Sequence, residues 1–275
     1  MVAFISFLLL LSTVAAIPAP IPLTTRDQAT PHAPSPWDAG ATALYPIHQS
    51  CNATQRRQIE AGLNETITLA EHAKAHILRW GNESTIYRKY FGNRPSFEAI
   101  GAYDIVSNGD KGSVLFRCDN PDGNCKLDGW GGHWRGENAT SETVICDLSY
   151  STRRSLTSMC ALGYTVSESK TNTFWAGDLL HRLYHMPPIG QNWIEHFAEG
   201  YSDVLKLAAG NQSTSTRDSA TLQYFALEAY AYDIAAPGVG CAGEYEESHQ
   251  DDDTSAADAL PANCHTHEGG EIHCI

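Results

Sequence analysis

The chain has 275 residues, 42% of them hydrophobic, and a formal charge of −14 at neutral pH. That is apolar material for one large domain or two small ones. The acidic balance excludes sequence-blind binding to nucleic acid, which needs clustered lysine and arginine.

In chain order, "MVAFISFLLLLSTVAAIPAP" reads as a secretory signal peptide. Its apolar core runs from Val2 to Leu11, and the small residues Val14-Ala15-Ala16 place cleavage after Ala16. That core is short for a membrane span, and no later stretch approaches about 18 apolar residues. The mature chain is therefore expected to have no membrane span. Residues 17–50 carry Pro18, Pro20, Pro22, Pro31, Pro34 and Pro36, and read as an extended Pro-rich leader that becomes ordered near Cys51. Export is also suggested by N-x-S/T sequons at Asn52, Asn64, Asn82, Asn138 and Asn211. Cys51, Cys118, Cys125, Cys146, Cys160, Cys241, Cys264 and Cys274 make an even set, as expected of disulfides in an oxidising compartment. The turn-rich loop "CDNPDGNC" suggests that Cys118 pairs with Cys125.

Residues 51–241 read as the folded domain. A long helix is expected over "TQRRQIEAGLNETITLAEHAKAHILRW", where Ile59, Leu63, Ile67, Ala70 and Ile77 form one apolar stripe. His72 and His76, also four apart, fall opposite that stripe and are read as surface histidines. "GSVLFRC" and "ETVICDLSY" have strand composition, and the Gly/Asp/Asn-rich stretch between them reads as loop. Helices follow in "TFWAGDLLHRLYH", "NWIEHFAEGYSDVLKLAAG" and "RDSATLQYFALEAYAYDI", the second ending at Gly210. The fold class is α+β, mostly helical with a small sheet. Residues 242–263 are acidic and poor in apolar groups, the composition of a disordered linker. Residues 264–275, "CHTHEGGEIHCI", gather His265, His267, His273, Cys264 and Cys274. Gly269-Gly270 lets the chain fold back, so the three histidines can meet on one zinc ion. A Cys264–Cys274 disulfide with idle histidines is the competing reading of this tail.

The candidate chemistry centres on "HRLYH". His181 and His185 lie one helical turn apart, so both imidazoles reach one side of the helix. The helix is apolar enough to be buried, and Pro187-Pro188 then turns the chain. His196 follows eleven residues after His185, on the next expected helix, and completes a three-ligand zinc set. Core histidines bonded to backbone are the alternative.

"HRLYHMPPIG", "EHFAEGYSDVLKLAAGN" and "LQYFALEAYAYDIAAPGVGC" resemble the fungal HRxxH family of peptidase-like proteins, over most of residues 40–241 and the terminal tail. That family includes surface antigens, mould allergens and secreted zinc scavengers (zincophores). The resemblance implies a zincin-like fold related to the aspzincin (deuterolysin) metalloproteases, with Zn2+ as the metal. Aligned on the aspzincin segment that supplies an aspartate ligand, His196 takes the aspartate's place and Glu199 the tyrosine's. Glu199 is the second choice of third ligand. The resemblance also implies delivery of zinc to a transporter at the producing cell's surface, and contact with host extracellular proteins.

Arg182 occupies the place where an H-E-x-x-H enzyme has its glutamate general base. A guanidinium stays protonated and has no acceptor lone pair. Asp178, Glu195, Glu199 and Asp203 are available to neutralise it. The expectation is a secreted, extracellular or cell-surface protein that sequesters zinc on a scaffold that has lost peptidase activity. An active aspzincin-type endopeptidase and a surface antigen or adhesin with structural zinc are the alternatives.

Overall fold

The computed structural model describes residues 37–244, together with the backbone of 264–266 and 272–274. The signal peptide, most of the Pro-rich leader, most of the acidic linker and His267 lie outside the described residues.

Helix α1 (Ala53–Trp80) starts where the sequence predicts a helix. The Asn52 side chain accepts from the Thr54 and Gln55 N–H groups, and the Gln55 side chain accepts from the Asn52 N–H. This reciprocal cap satisfies donors that a helix start leaves open. Ile59, Leu63, Ala70 and Ile77 are buried as the stripe requires, joined by Leu69 and Ala73, with Ile67 at the margin. Against α1 pack α3 (Phe97–Asn108), α5 (Trp175–His185) and α8 (Ser219–Tyr230). The short helix α2 (Thr85–Phe91), which composition did not announce, leans on α8. Phe225 of α8 is the hub of this core, with the rings of Tyr87, Tyr90, Phe91 and Tyr103 within 5.0–6.3 Å of it.

A small sheet lies beside the helices in the order β1-β3-β2. Strand β1 (Leu115–Arg117) runs parallel to β3 (Glu142–Ile145), and β2 (Gly132–Trp134) runs antiparallel to it. Two expectations change here. β2 sits inside the Gly-rich stretch read as loop. "ETVICDLSY" splits at Cys146 into β3 and helix α4 (Asp147–Thr152), with Asp147 in the first turn where a carboxylate suits the helix dipole.

Among the described residues the disulfides are Cys51–Cys118, Cys125–Cys146 and Cys160–Cys241. The expected Cys118–Cys125 pair is thus incorrect. The segment before α1 runs alongside β1, with the His48 N–H donating to the Phe116 carbonyl, and this brings Cys51 to Cys118 with Cα atoms 4.8 Å apart. Cys125 lies in a 3-10 turn and meets Cys146 at the end of β3. Both pairings are long-range contacts that local turn composition does not encode.

The helix expected over 192–210 begins only at Gly200. Residues 191–199 form an irregular segment, followed by α7 (Gly200–Ala209). Gln191 and Asn192 have positive φ, and Glu195 bridges Asp218 in β fashion. The carboxylate of Asp218 takes the N–H groups of Phe197 and Ala198, which an α-helix would have paired internally. In the terminal segment, β4 (Cys264–Thr266) and β5 (Ile272–Cys274) pair antiparallel, with His265 opposite His273 and Cys264 opposite Cys274. The turn expected at Gly269-Gly270 lies outside the described residues. All five sequon asparagines are exposed. No helix among the described residues is long and apolar enough to cross a membrane.

Gly62 lies in the α1–α5 contact. A Cβ there would come 2.9 Å from both Leu179 Cδ1 and Trp175 Cβ. Gly62→Leu is expected to destabilise the fold by about 1–3 kcal/mol through overpacking, measured by chemical denaturation.

Candidate metal centre

Helix α5 stops before two prolines. Met186 takes an extended conformation, as a residue preceding proline prefers. Pro187 then opens the single turn α6 (Pro187–Gly190), where a missing N–H costs nothing. The chain reverses and returns as the irregular segment that carries His196.

The three predicted histidines converge. His185 Nε2 lies 3.0 Å from His181 Nε2 and 3.0 Å from His196 Nε2. His181 is buried and the other two are half-buried, with His196 lining a cleft together with Phe197, Ala198, Glu199 and Asp203. A tetrahedral zinc with bonds of about 2.0–2.1 Å holds its ligands about 3.4 Å apart. Those two separations are within a few tenths of an ångström of that spacing, and all three ligand atoms lie within 4.8 Å of one another, so the donor set fits such an ion. On the side of His196 away from the cluster, Nδ1 is 3.3 Å from the Ser219 hydroxyl. That contact lets Nδ1 donate to the hydroxyl and leave the Nε2 lone pair for a metal, the usual outer-shell arrangement for a ligating histidine. Glu199 is not part of the convergent group. It lines the cleft, and burial first, then the nearby Asp203 and Asp218 carboxylates, pushes its carboxyl above the usual range.

Arg182 is 2% exposed, on the same helix as the two histidines. Its Nε donates to Asp178 Oδ2 at 2.9 Å and its Nη2 to Asp178 Oδ1 at 3.1 Å. Arg153 Nη2 reaches Oδ1 as well, at 3.2 Å. Burial alone would raise the Asp178 carboxyl, but the two guanidiniums outweigh it and hold the carboxyl below the usual range. The Arg182 head lies against β2, where a Cβ on Gly132 would come within 2.5 Å of Nη1. Of the carboxylates offered by the sequence, Asp178 is thus the one that neutralises Arg182. Glu195 pairs with Arg217, and Asp203 with Lys206.

Sequence reasoning missed Asp218, which is fully buried at the start of α8. It accepts from the N–H groups of Phe197, Ala198 and Thr221 and from the Thr221 hydroxyl, and so anchors the segment that presents His196. Its signal was present: Asp followed by Ser-Ala-Thr is an N-cap pattern. His72 and His76 are not plain surface histidines: His76 is 6% exposed, packed against Phe225 and bonded to Asp233 and Ser84. Cys125, His133 and Cys146 also come together, but both sulfurs are committed to a disulfide.

Asp178→Asn would leave two buried guanidiniums without their carboxylate and is expected to cost about 3–5 kcal/mol. Because the folded pKa of Asp178 is depressed, its contribution is complete above the unfolded carboxyl value near about 3.9. It is lost as pH falls below that value towards the folded pKa. Acid unfolding followed by circular dichroism should therefore start at higher pH in wild type than in a variant where an uncharged, well-packed cluster replaces the ion pair.

The family model described as "HRXXH: Putative peptidase family" matches residues 4–244. Major allergen Asp f 2 of Aspergillus fumigatus is 62% identical, over 95% of this chain and 94% of its own length. Antigen 1 of Emericella nidulans is 62% identical, over 89% of this chain and 93% of its own. The pH-regulated antigen PRA1 of Candida albicans is 49% identical, over 89% and 82%. A zinc peptidase from Grifola frondosa overlaps 65% of this chain and 97% of its own, at 14% identity and a TM-score of 0.46, too loose a match to carry a conclusion about chemistry. With His181-Arg182-Leu183-Tyr184-His185 as its naming motif, the chain belongs to the HRXXH family.

Proposed function

We propose that this protein is a secreted zinc-binding protein that sequesters extracellular zinc, on an aspzincin-type scaffold that does not hydrolyse peptides. The observation that carries the reading is the meeting of three imidazole nitrogens, two of them 3.0 Å from that of His185, beside an arginine already paired with Asp178. His181, His185 and His196 would hold zinc, which suits imidazole donors and supplies Lewis acidity when bound. The residue following His181 is where a peptidase of this type needs a proton acceptor. Arg182 cannot accept a proton, and losing a general base typically lowers rates about 100- to 10,000-fold.

The disulfides and exposed sequons accord with passage through an oxidising, glycosylating compartment. The terminal ribbon, with His265 opposite His273, supports a second and more labile zinc site at the tail with His267. By kinship with other fungal HRXXH proteins, the bound zinc would pass to a transporter at the cell surface, and host extracellular proteins are further partners.

A second reading, an active zinc endopeptidase, is favoured by one observation. Glu199 lines the cleft beside His196 with a raised carboxyl, the property of a substitute base. Two assays separate these readings. His185→Ala should remove one equivalent of zinc, measured by mass spectrometry of metal content. Zinc-loaded wild type should leave casein intact, whereas cleavage abolished by a chelator and by Glu199→Gln would establish the peptidase. Imidazoles bind metal only when neutral, so zinc should be released as pH falls through about 6.5.

A further inference from the structure

Beside the sheet, Cys125, Cys146 and His133 meet. A ring nitrogen of His133 and both sulfurs lie within 4.8 Å of one another. The strands account for part of this. His133 pairs with Val144 across β2 and β3, and Cys146 follows Val144 by two residues, so it shares that face. Cys125 comes in from the 3-10 turn Asn124–Lys126 and closes the disulfide.

His133 is set as a ligand is set. Its side chain is 1% exposed. Nε2 lies 3.1 Å from Asp122 Oδ2, and Arg135 holds that carboxylate in turn, through Nε at 2.8 Å and Nη2 at 3.1 Å. A carboxylate paired with a guanidinium accepts, which places the ring proton on Nε2 and the lone pair on Nδ1. Nδ1 is buried and has no hydrogen-bond partner among the described residues. A buried acceptor left unpaired is unfavourable and calls for an explanation. A carboxylate on one ring nitrogen and a free lone pair on the other is the usual support of a metal-binding histidine.

We propose that Cys125 and Cys146, when reduced, form a zinc site with His133, supported by Asp122, and that the disulfide is the closed, metal-free state of that site. Two thiolates and an imidazole suit zinc and leave a fourth position for water. Zinc–sulfur bonds of about 2.3 Å hold two thiolates about 3.8 Å apart, a separation that freed sulfurs reach by rotation of Cys125 in its half-buried turn. The reductant is of the dithiol class. Its two S–H groups become a disulfide, while the Cys125–Cys146 bond takes up two electrons and two protons and opens to two thiols. Zinc then displaces those two protons and binds both thiolates and Nδ1. Exchange with the oxidised form of the dithiol reverses both steps and expels the ion. Of the three described disulfides, this one closes 21 residues, against 67 and 81, and so constrains the unfolded chain least. Neither of the other two is grouped with a histidine among the described residues.

The test uses the full chain carrying Cys264→Ala and Cys274→Ala, which removes the terminal sulfurs, with cobalt(II) as a spectroscopic stand-in for zinc. The chain is reduced with a dithiol, desalted without oxygen and titrated. Thiolate bound to cobalt gives a charge-transfer band in the near ultraviolet. The proposed His181 centre has no sulfur ligand, so its failure would leave this band untouched. The reduced chain should show the band saturating at one equivalent, and the oxidised chain none. Cys125→Ser should lose it. Asp122→Asn should weaken cobalt binding about 10- to 100-fold, and His133→Gln at least as much. A reduced, folded chain without the band overturns the inference, as does a band unchanged in Cys125→Ser and His133→Gln. Should reduction unfold the chain by circular dichroism, Cys125→His decides. It needs no reductant, leaves the other described disulfides closed, and keeps the Cys146 thiol beside two imidazoles. A thiolate band with cobalt alone supports the site, and its absence rejects it.

Discussion

A guanidinium sealed inside a protein must be neutralised, and in this fold one carboxylate does it from the helix that bears His181 and His185. Asp178 lies one turn before Arg182 on α5 and takes Arg153 as well. The interaction fixes more than one side chain. Arg153 ends α4, and the next residue pairs with the strand-like entry to α5 through Arg154 and Phe174. Gly132 leaves room for the Arg182 head against β2. The ion pair thus locks α4, α5 and the sheet together at the place where His181 must be held. A buried pair of this kind is weak evidence for net stability, since an apolar replacement can do as well. What it sets is where the charge goes: onto Asp178 and away from any role as a proton acceptor.

The third imidazole is positioned by a different device. Two prolines end α5 and send the chain round, and Asp218 then collects the backbone N–H groups that flank His196. Burial pushes the Asp218 carboxyl up, while its backbone and hydroxyl donors pull the other way without restoring the ordinary value. An irregular segment is stable inside a protein only when its backbone groups are satisfied, and this side chain satisfies two of them. His196 can therefore face His185 from outside any helix. The half-buried cleft at this edge leaves the cluster in reach of solvent.

The sequence made the helical core and the histidine set legible because both rest on short-range periodicity. Ile59, Leu63, Ala70 and Ile77 repeat at helical spacing, as do His181 and His185, and each group lies where that spacing puts it. Contacts set by the tertiary path were not legible. Composition around Cys118 favoured Cys125, whereas the partner is Cys51, brought in alongside β1. β2 was hidden by glycines that a close backbone approach requires. The helix expected across His196 gave way to Asp218, whose carboxylate competes for the same N–H groups. His72 and His76 looked superficial because Asp233 joins them from 157 residues away from His76.

The claim at the centre is that three imidazoles from α5 and the segment after it jointly hold zinc. The most direct measurement is zinc-edge X-ray absorption of the full chain carrying the first, tightest equivalent of zinc, compared with His196→Ala. Multiple imidazole scattering in wild type, with one imidazole fewer in the variant, is the predicted result. A wild-type spectrum without imidazole scattering, or one unchanged in His196→Ala, would contradict the account.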